Sequence, residues 1–102
     1  VPPADAVLCR DCLVHLSYRD QQAALNAIIR SGAKYLLTTT FPGRVAVNKD
    51  IITGSWRPID LMLPPYSFPQ PLHCVSEEME IRNGKQIGIW KIADLPGEFR
   101  FA

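Results

Sequence analysis

The side chains best suited to chemistry fall into two blocks of the sequence. The first block is Cys9-Arg10-Asp11-Cys12, with His15 three residues further on. Asp11 or His15 would be a suitable base toward an O–H or N–H group of a substrate, since carboxylates and imidazoles commonly take up protons in enzymes. A structural alternative remains open, in which Asp11 caps a turn and His15 packs against the following helix.

The same block contains a C-x-x-C pair that would suit a metal. Cys9 and Cys12, together with His15 and the distant His73-Cys74, offer thiol and imidazole ligands of the kind that zinc prefers. In continuous strand geometry, an offset of three places Cys9 and Cys12 on opposite faces, although a turn between them would bring them together. The competing interpretation is a buried Cys9 with a packing Cys12, and we assign no metal site.

The second block is polar and aromatic. It consists of Asn48, Asp50, Thr53, Gly54, Trp56 and Arg57. The guanidinium of Arg57 could hold an anionic substrate, and Trp56 could stack on that substrate. The alternative is a well-tied surface loop in which Trp56 is a hydrophobic anchor.

The bulk composition sets limits on function. The chain has 102 residues, enough for one domain, and is 47% hydrophobic and 21% charged. A net charge of +1 gives no reason to expect a nucleic-acid partner. No apolar run is long enough to span a bilayer, and no signal peptide is recognisable. Three cysteines argue against a disulfide scaffold and favour a reducing, cytoplasmic location.

The first block must be positioned by a strand–helix–strand unit. Residues 4–10 and 34–40 are predicted strands, because both contain short apolar runs. Between them, residues 18–31 have helical periodicity, an N-cap at Ser17 and a stop at Gly32. We therefore expect two parallel strands joined by a right-handed crossover.

The rest of the chain predicts a long loop and a hairpin. The loop, 41–75, is rich in proline but contains five large residues that favour burial, namely Trp56, Leu61, Met62, Tyr66 and Phe68. Residues 76–92 alternate in polarity around Asn83-Gly84, a strong signal for a tight turn. One face of the helix is predicted to be solvated, and it holds Arg19, Asp20, Gln21, Gln22 and Asn26. The fold class is α/β, with about four mixed strands and one main helix.

The order of these blocks resembles a known family. The stretch ADAVLCRDCLVHLSYRDQQAALNAIIRSGAKYLLTTTF resembles the fourth strand, helix and fifth strand of class I S-adenosylmethionine-dependent methyltransferases. NKDIITGSWRPIDLMLPPYSFPQP resembles the segment that follows in one bacterial subfamily, and the hairpin is similar to that family's sixth and seventh strands. The resemblance implies that residues 1–102 are one domain, the acceptor-side, C-terminal half of a Rossmann-like methyltransferase.

The resemblance also implies roles for individual residues. Asp11 and His15 would be catalytic. The acceptor would be bound by Arg10, Asn48, Asp50, Thr53, Trp56 and Arg57. The glycine-rich turn that binds the cofactor in this family does not occur in these 102 residues. We therefore expect S-adenosylmethionine to bind only if a missing half completes the site, and the isolated chain to be inactive.

The resemblance further implies an unusual sheet edge. The family's fourth strand is central, so residues 6–10 would lack a neighbour in this truncated arrangement. A bare apolar edge invites pairing with another chain. We expect a homo-oligomer or a partner that covers this edge. The alternative function is a non-catalytic module that oligomerises or binds a ligand or protein.

Overall fold

The fold is a four-stranded mixed sheet with one α-helix. The computed structural model describes residues 5–76 and 84–101. Its strands are β1 (Ala6–Cys9), β2 (Tyr35–Thr40), β3 (His73–Ser76) and β4 (Gln86–Lys91), and its helix is α1 (Tyr18–Arg30). Short 3₁₀ turns span Leu13–His15 and Ile92–Asp94. The α/β class, the mixed sheet and the single main helix are confirmed.

The helix begins and ends where its capping residues predict. The Ser17 hydroxyl accepts a hydrogen bond from the backbone N–H of Asp20 at 3.2 Å. Gly32 has a φ of 82°, the left-handed conformation that ends helices without steric cost. Leu25 and Ile28 are buried in the core. The periodic apolar face of α1 is therefore confirmed.

The predicted solvated face of α1 is wrong at two positions. Gln21 is fully buried and Asn26 is 9% exposed, whereas Arg19 and Asp20 are exposed. The Gln21 amide donates to the carbonyl of Leu13 at 2.8 Å, and Asn26 exchanges two hydrogen bonds with the backbone of Phe99. Long-range partners such as these make burial of an amide tolerable, and local periodicity contains no information about them.

The sheet has the strand order β1-β2-β4-β3. β1 is parallel to β2, and β4 is antiparallel to both β2 and β3. The predicted parallel pair is confirmed. β3 begins at His73, three residues before the predicted hairpin. Residues 77–83, which include Asn83 of the predicted turn, lie outside the described part of the chain.

One face of the sheet forms the core with α1. Cys9, Leu36 and Trp90 belong to the same buried cluster as Leu25 and Ile28. Within β4, Gly88 leaves room for the Trp90 indole, since a Cβ at this glycine would lie 2.4 Å from two ring carbons. The core thus depends on the pairing of a large residue with a glycine two positions earlier on the same strand face.

The opposite face of the sheet has an apolar row. Leu8, Leu37 and Ile89 are in register across three strands. Leu8 is 65% exposed, the other two are partly buried, and Val75 on β3 is 48% exposed. The only α-helix among the described residues packs against the other face. β1, at the end of the strand order, has one neighbour in the described sheet.

The loop between β2 and β3 is packed rather than loose. Leu61, Tyr66 and Phe68 are buried, as their size predicts. Trp56 and Met62 are 54% and 39% exposed, so the expectation of burial is wrong for them. At 13 residues, α1 is too short to cross a membrane, and the described chain contains no other α-helix.

Candidate functional site

The turn after β1 is fixed to the end of β2. Asp11 has a φ of 53°, a left-handed conformation that aspartate tolerates better than most residues. Its backbone N–H donates to the Thr39 hydroxyl at 2.8 Å, and the Thr38 hydroxyl donates to the Cys9 carbonyl at 3.0 Å. Asp11 therefore lies at the carboxyl end of the parallel strand pair, where open α/β sheets bind ligands.

The carboxylate of Asp11 has a partner that sequence analysis missed. The ammonium group of Lys85, just before β4, lies 2.8 Å from one Asp11 oxygen and 3.0 Å from the other. Arg10 is more distant, with its Nε at 3.8 Å. The Lys85 side chain is 11% exposed and that of Asp11 is 43% exposed. We call Arg10, Asp11, Thr39 and Lys85 the sheet-end cluster. Within this cluster the Asp11 carboxylate is solvent-accessible and held in a fixed position.

His15 faces the loop that follows β2. Its Nδ1 lies 2.9 Å from the Ser55 carbonyl, and the backbone N–H of Gly54 donates to the His15 carbonyl. Because a carbonyl can only accept, this contact assigns the proton of the neutral ring to Nδ1. Nε2 is then the acceptor nitrogen on an exposed side chain. The imidazole is thereby fixed against the loop, and it does not pack into the core.

Asn48 holds the loop together from inside. Its side-chain amide donates to the carbonyls of Asp60 and Pro64 at 2.9 Å each, and its Oδ1 accepts from the Asp60 N–H at 2.9 Å. Asn48 is 7% exposed. Its observed contacts are therefore structural ones within the loop.

Asp50 and Thr53 connect the loop to the start of α1. Asp50 Oδ1 accepts from the Tyr18 N–H at 2.8 Å. The Thr53 hydroxyl accepts from the Ser17 N–H at 2.9 Å and donates to the Asp20 carboxylate. A helix N-terminus has backbone N–H groups without intrahelical partners, and the loop supplies acceptors for them. Both side chains are thus engaged by the protein itself.

Arg57 is the most buried cation of the predicted set, at 7% exposure. Its guanidinium donates to the backbone carbonyls of four residues, Leu13, Val14, Leu16 and Lys49. It also lies 5.7 Å from the centre of the Tyr18 ring. Its Nη2 is the only buried side-chain nitrogen or oxygen without a hydrogen-bond partner among the described residues.

Trp56 occupies the rim of the loop. Its ring and that of Phe41 form a T-shaped pair, with a centroid distance of 6.0 Å and an interplanar angle of 85°. Because 54% of the residue is exposed, part of the indole is accessible to a ligand. The side chain thus combines an anchoring contact with an accessible aromatic surface.

The cysteines are thiols in the described structure. Burial, followed by the neighbouring Cys12, raises the pKa of Cys9 to about 12. Burial also raises the pKa of Cys74. The turn at Asp11 brings Cys12 beside Cys9, as the metal hypothesis requires. However, residues 5–76 and 84–101 contain no group of three His, Cys, Asp or Glu side chains suited to a metal ion.

The predicted site residues divide into two groups. Arg10 and Asp11 belong to the sheet-end cluster, whereas His15 contacts the 48–57 loop. Asn48, Asp50, Thr53 and Arg57 hold that loop against the start of α1, and Trp56 lies on its exposed side. Comparison of the chain with protein-family models, with curated proteins and with solved structures gave no match.

Proposed function

We propose that this chain is the acceptor-side half of an S-adenosylmethionine-dependent methyltransferase whose cofactor-binding residues lie outside these 102 positions. The observation that carries the proposal is β1, a parallel strand at the sheet edge with Leu8 65% exposed. Parallel strands are normally covered on both faces. β1 has one exposed face and one side without a neighbouring strand in the described sheet. Both features fit a cofactor-binding half that adds strands next to β1.

Two side chains provide the proposed proton-transfer chemistry, Asp11 of the sheet-end cluster and His15 beside the 48–57 loop. S-adenosylmethionine supplies an electrophilic methyl group, and an attacking O–H or N–H acceptor must lose a proton. Asp11 and His15 Nε2 are the proposed proton acceptors. Lys85 holds the Asp11 carboxylate in place, and the Ser55 carbonyl orients the His15 ring.

The loop contacts refine the proposed roles in acceptor binding. Asn48, Asp50 and Thr53 use their polar atoms on the loop and on the start of α1. We propose that they act by positioning the loop, and that Trp56 and Arg10 contact the acceptor. Three free cysteines fit the proposed cytoplasmic location, where thiols remain reduced.

A second candidate function is a non-catalytic module that self-associates. The apolar row of Leu8, Leu37 and Ile89, in which Leu8 is exposed, favours this alternative together with the exposed Val75 beside it. Contiguous apolar surface of this kind commonly marks a protein interface. In this case the sheet edge pairs with a second copy, and the sheet-end cluster has no catalytic role.

Cofactor binding separates the two functions. Calorimetric titration with S-adenosylmethionine should show saturable binding to the native assembly purified from its source, and none to the isolated 102-residue chain. Asp11→Asn should leave that binding unchanged, because Asp11 is assigned to the acceptor side. Failure of the native assembly to bind S-adenosylmethionine would overturn the methyltransferase proposal and leave the non-catalytic module.

A further inference from the structure

A cavity lies outside the sheet-end cluster. Its volume is about 480 Å³, within the range of small-molecule sites. It opens between the 44–49 segment and Arg57-Pro58. Val45, Val47 and Pro58 supply apolar walls, while Arg44, Lys49 and Arg57 supply cationic groups. This composition suits an organic ligand with a negative charge.

Among the described residues, the wall of the cavity holds cations and no carboxylate. Arg44 and Lys49 are exposed, and neither side chain forms an ion pair or hydrogen bond with the described residues. The acids closest in sequence, Asp50 and Asp60, accept hydrogen bonds from backbone N–H groups of other residues and do not line the cavity. The described lining therefore carries an excess of positive charge.

Arg57 adds a buried positive charge to the wall of the cavity. It is more than nine-tenths buried, and its Nε donates to the carbonyl of Lys49, which also lines the cavity. Its Nη2 is shielded from solvent and has no acceptor among the described residues. Arg57 therefore attracts an oxyanion through its charge, and the charge-assisted hydrogen bonds to the oxyanion come from Arg44 and Lys49.

We propose that this cavity binds a small organic oxyanion, a phosphate monoester or a carboxylate, between Arg44, Lys49 and Arg57. The Arg44 and Lys49 side chains contact the charged group, and the apolar walls contact the organic part. This inference is independent of the proposed methyl transfer. If both hold, the cavity identifies the acceptor as an anionic molecule.

The test uses phenyl phosphate and benzoate as probes, with uncharged benzyl alcohol as a matched control. Each compound is titrated into the ¹⁵N-labelled chain without S-adenosylmethionine, and amide shifts are followed by NMR. Saturable shifts confined to residues 44–49 and 57–59 are expected with one or both anions. No such shifts are expected with benzyl alcohol.

Two variants of equal net charge test whether anion binding depends on Arg44 and Lys49 or only on the overall charge of the chain. Arg44→Gln/Lys49→Gln should weaken anion binding at least about tenfold, because two charge-assisted contacts are lost. Lys34→Gln/Lys91→Gln removes the same net charge at a different cavity and should leave binding unchanged. Equal weakening by both pairs, equal shifts with benzyl alcohol, or no shifts at millimolar anion would overturn the site. Circular dichroism verifies that both variants are folded.

Discussion

Arg57 combines a structural contact with an unused donor. Four backbone carbonyls of the 13–16 turn and the loop converge on its guanidinium. Loss of the side chain would leave buried carbonyl groups without donors, and each such group is costly. The fold around His15 therefore depends on a residue that sequence analysis assigns to substrate binding.

Substitution of Arg57 should destabilise the chain strongly. Arg57→Met is expected to lower the free energy of unfolding by about 3 kcal/mol, because a buried hydrogen-bonded charge is lost. Urea denaturation measures this change. Arg100→Met, at a side chain that is 79% exposed, should cost less than about 0.5 kcal/mol. Similar midpoints for the two variants would contradict a structural role for Arg57.

Substitution of Asp11 should have a small effect on stability and a large effect on methyl transfer. Its ion pair with Lys85 is 43% exposed on the carboxylate side, so Asp11→Asn should change the free energy of unfolding by less than about 1 kcal/mol. In the native assembly the same variant should reduce methyl transfer about 100-fold, since a proton acceptor is lost. Asp94→Asn, at an exposed acid in the 3₁₀ turn after β4, is the control. An unchanged rate with Asp11→Asn would remove Asp11 from the mechanism.

Residue types in the candidate site can be predicted from the sequence, but their partners cannot. Asp11 is recognisable because it follows a strand, yet Lys85 lies 74 positions away. Likewise, no local pattern connects His15 to Ser55, 40 positions later. Gln21 appears solvated by periodicity and is buried by contacts with Leu13 and Tyr66. Pairings of this kind are set by the tertiary fold.

At the scale of elements, Tyr66 connects the long loop to α1. Its hydroxyl donates to Gln21 Oε1 at 2.7 Å in the core. Burial raises the pKa of Tyr66 from 10.0 to about 12. Because the folded state keeps its proton more tightly than the unfolded state, this group stabilises the fold fully below pH 10. That contribution is lost as the pH rises toward 12.

Alkaline unfolding tests this contact. Between pH 10 and 12, Tyr66 should account for a loss of about 2–3 kcal/mol in the free energy of unfolding. Cys9, whose pKa burial also raises to about 12, should add to the loss from about pH 9 upward. Tyr66→Phe should therefore reduce the slope of stability against pH without abolishing it. An unchanged slope in urea denaturation would contradict the assignment.

β4 depends on the absence of a side chain at Gly88. Gly88→Ala places a Cβ against the fully buried Trp90 ring, which must shift and disturb Phe68, 5.1 Å away. We expect a loss of about 2–3 kcal/mol in urea denaturation. Gly97→Ala, where a Cβ meets nothing within 4 Å, should be nearly neutral. Equal effects at the two glycines would refute the packing argument.

Local signals predict some elements better than others. Ser17, Gly32 and a buried stripe define α1 to within one residue, and two short apolar runs define β1 and β2. The start of β3 at His73 is missed, because His73 and Val75 lie on the exposed face and give no apolar alternation. The loop has no periodicity, and its packing comes from long-range contacts such as Tyr66 with Gln21.

At the scale of the whole molecule, the sheet edge is the most consequential feature. In isolation the chain should self-associate through β1, and light scattering should detect species above monomer mass. Leu8→Lys should shift the chain toward monomer, since an edge lysine opposes strand pairing. Ile52→Lys, at an exposed loop position of similar character, should leave association unchanged. A monomeric wild-type chain at micromolar concentration would count against self-association through β1.

Hydrogen exchange at Ala6–Cys9 tests the central claim most directly. In the isolated, dilute chain, the β1 amides directed away from β2 should exchange nearly as fast as those of an unstructured peptide. In the native assembly they should slow by at least about 100-fold, because an added strand supplies hydrogen-bond acceptors. Equally fast exchange of these amides in the native assembly would contradict the account, since no further strand would then pair with β1.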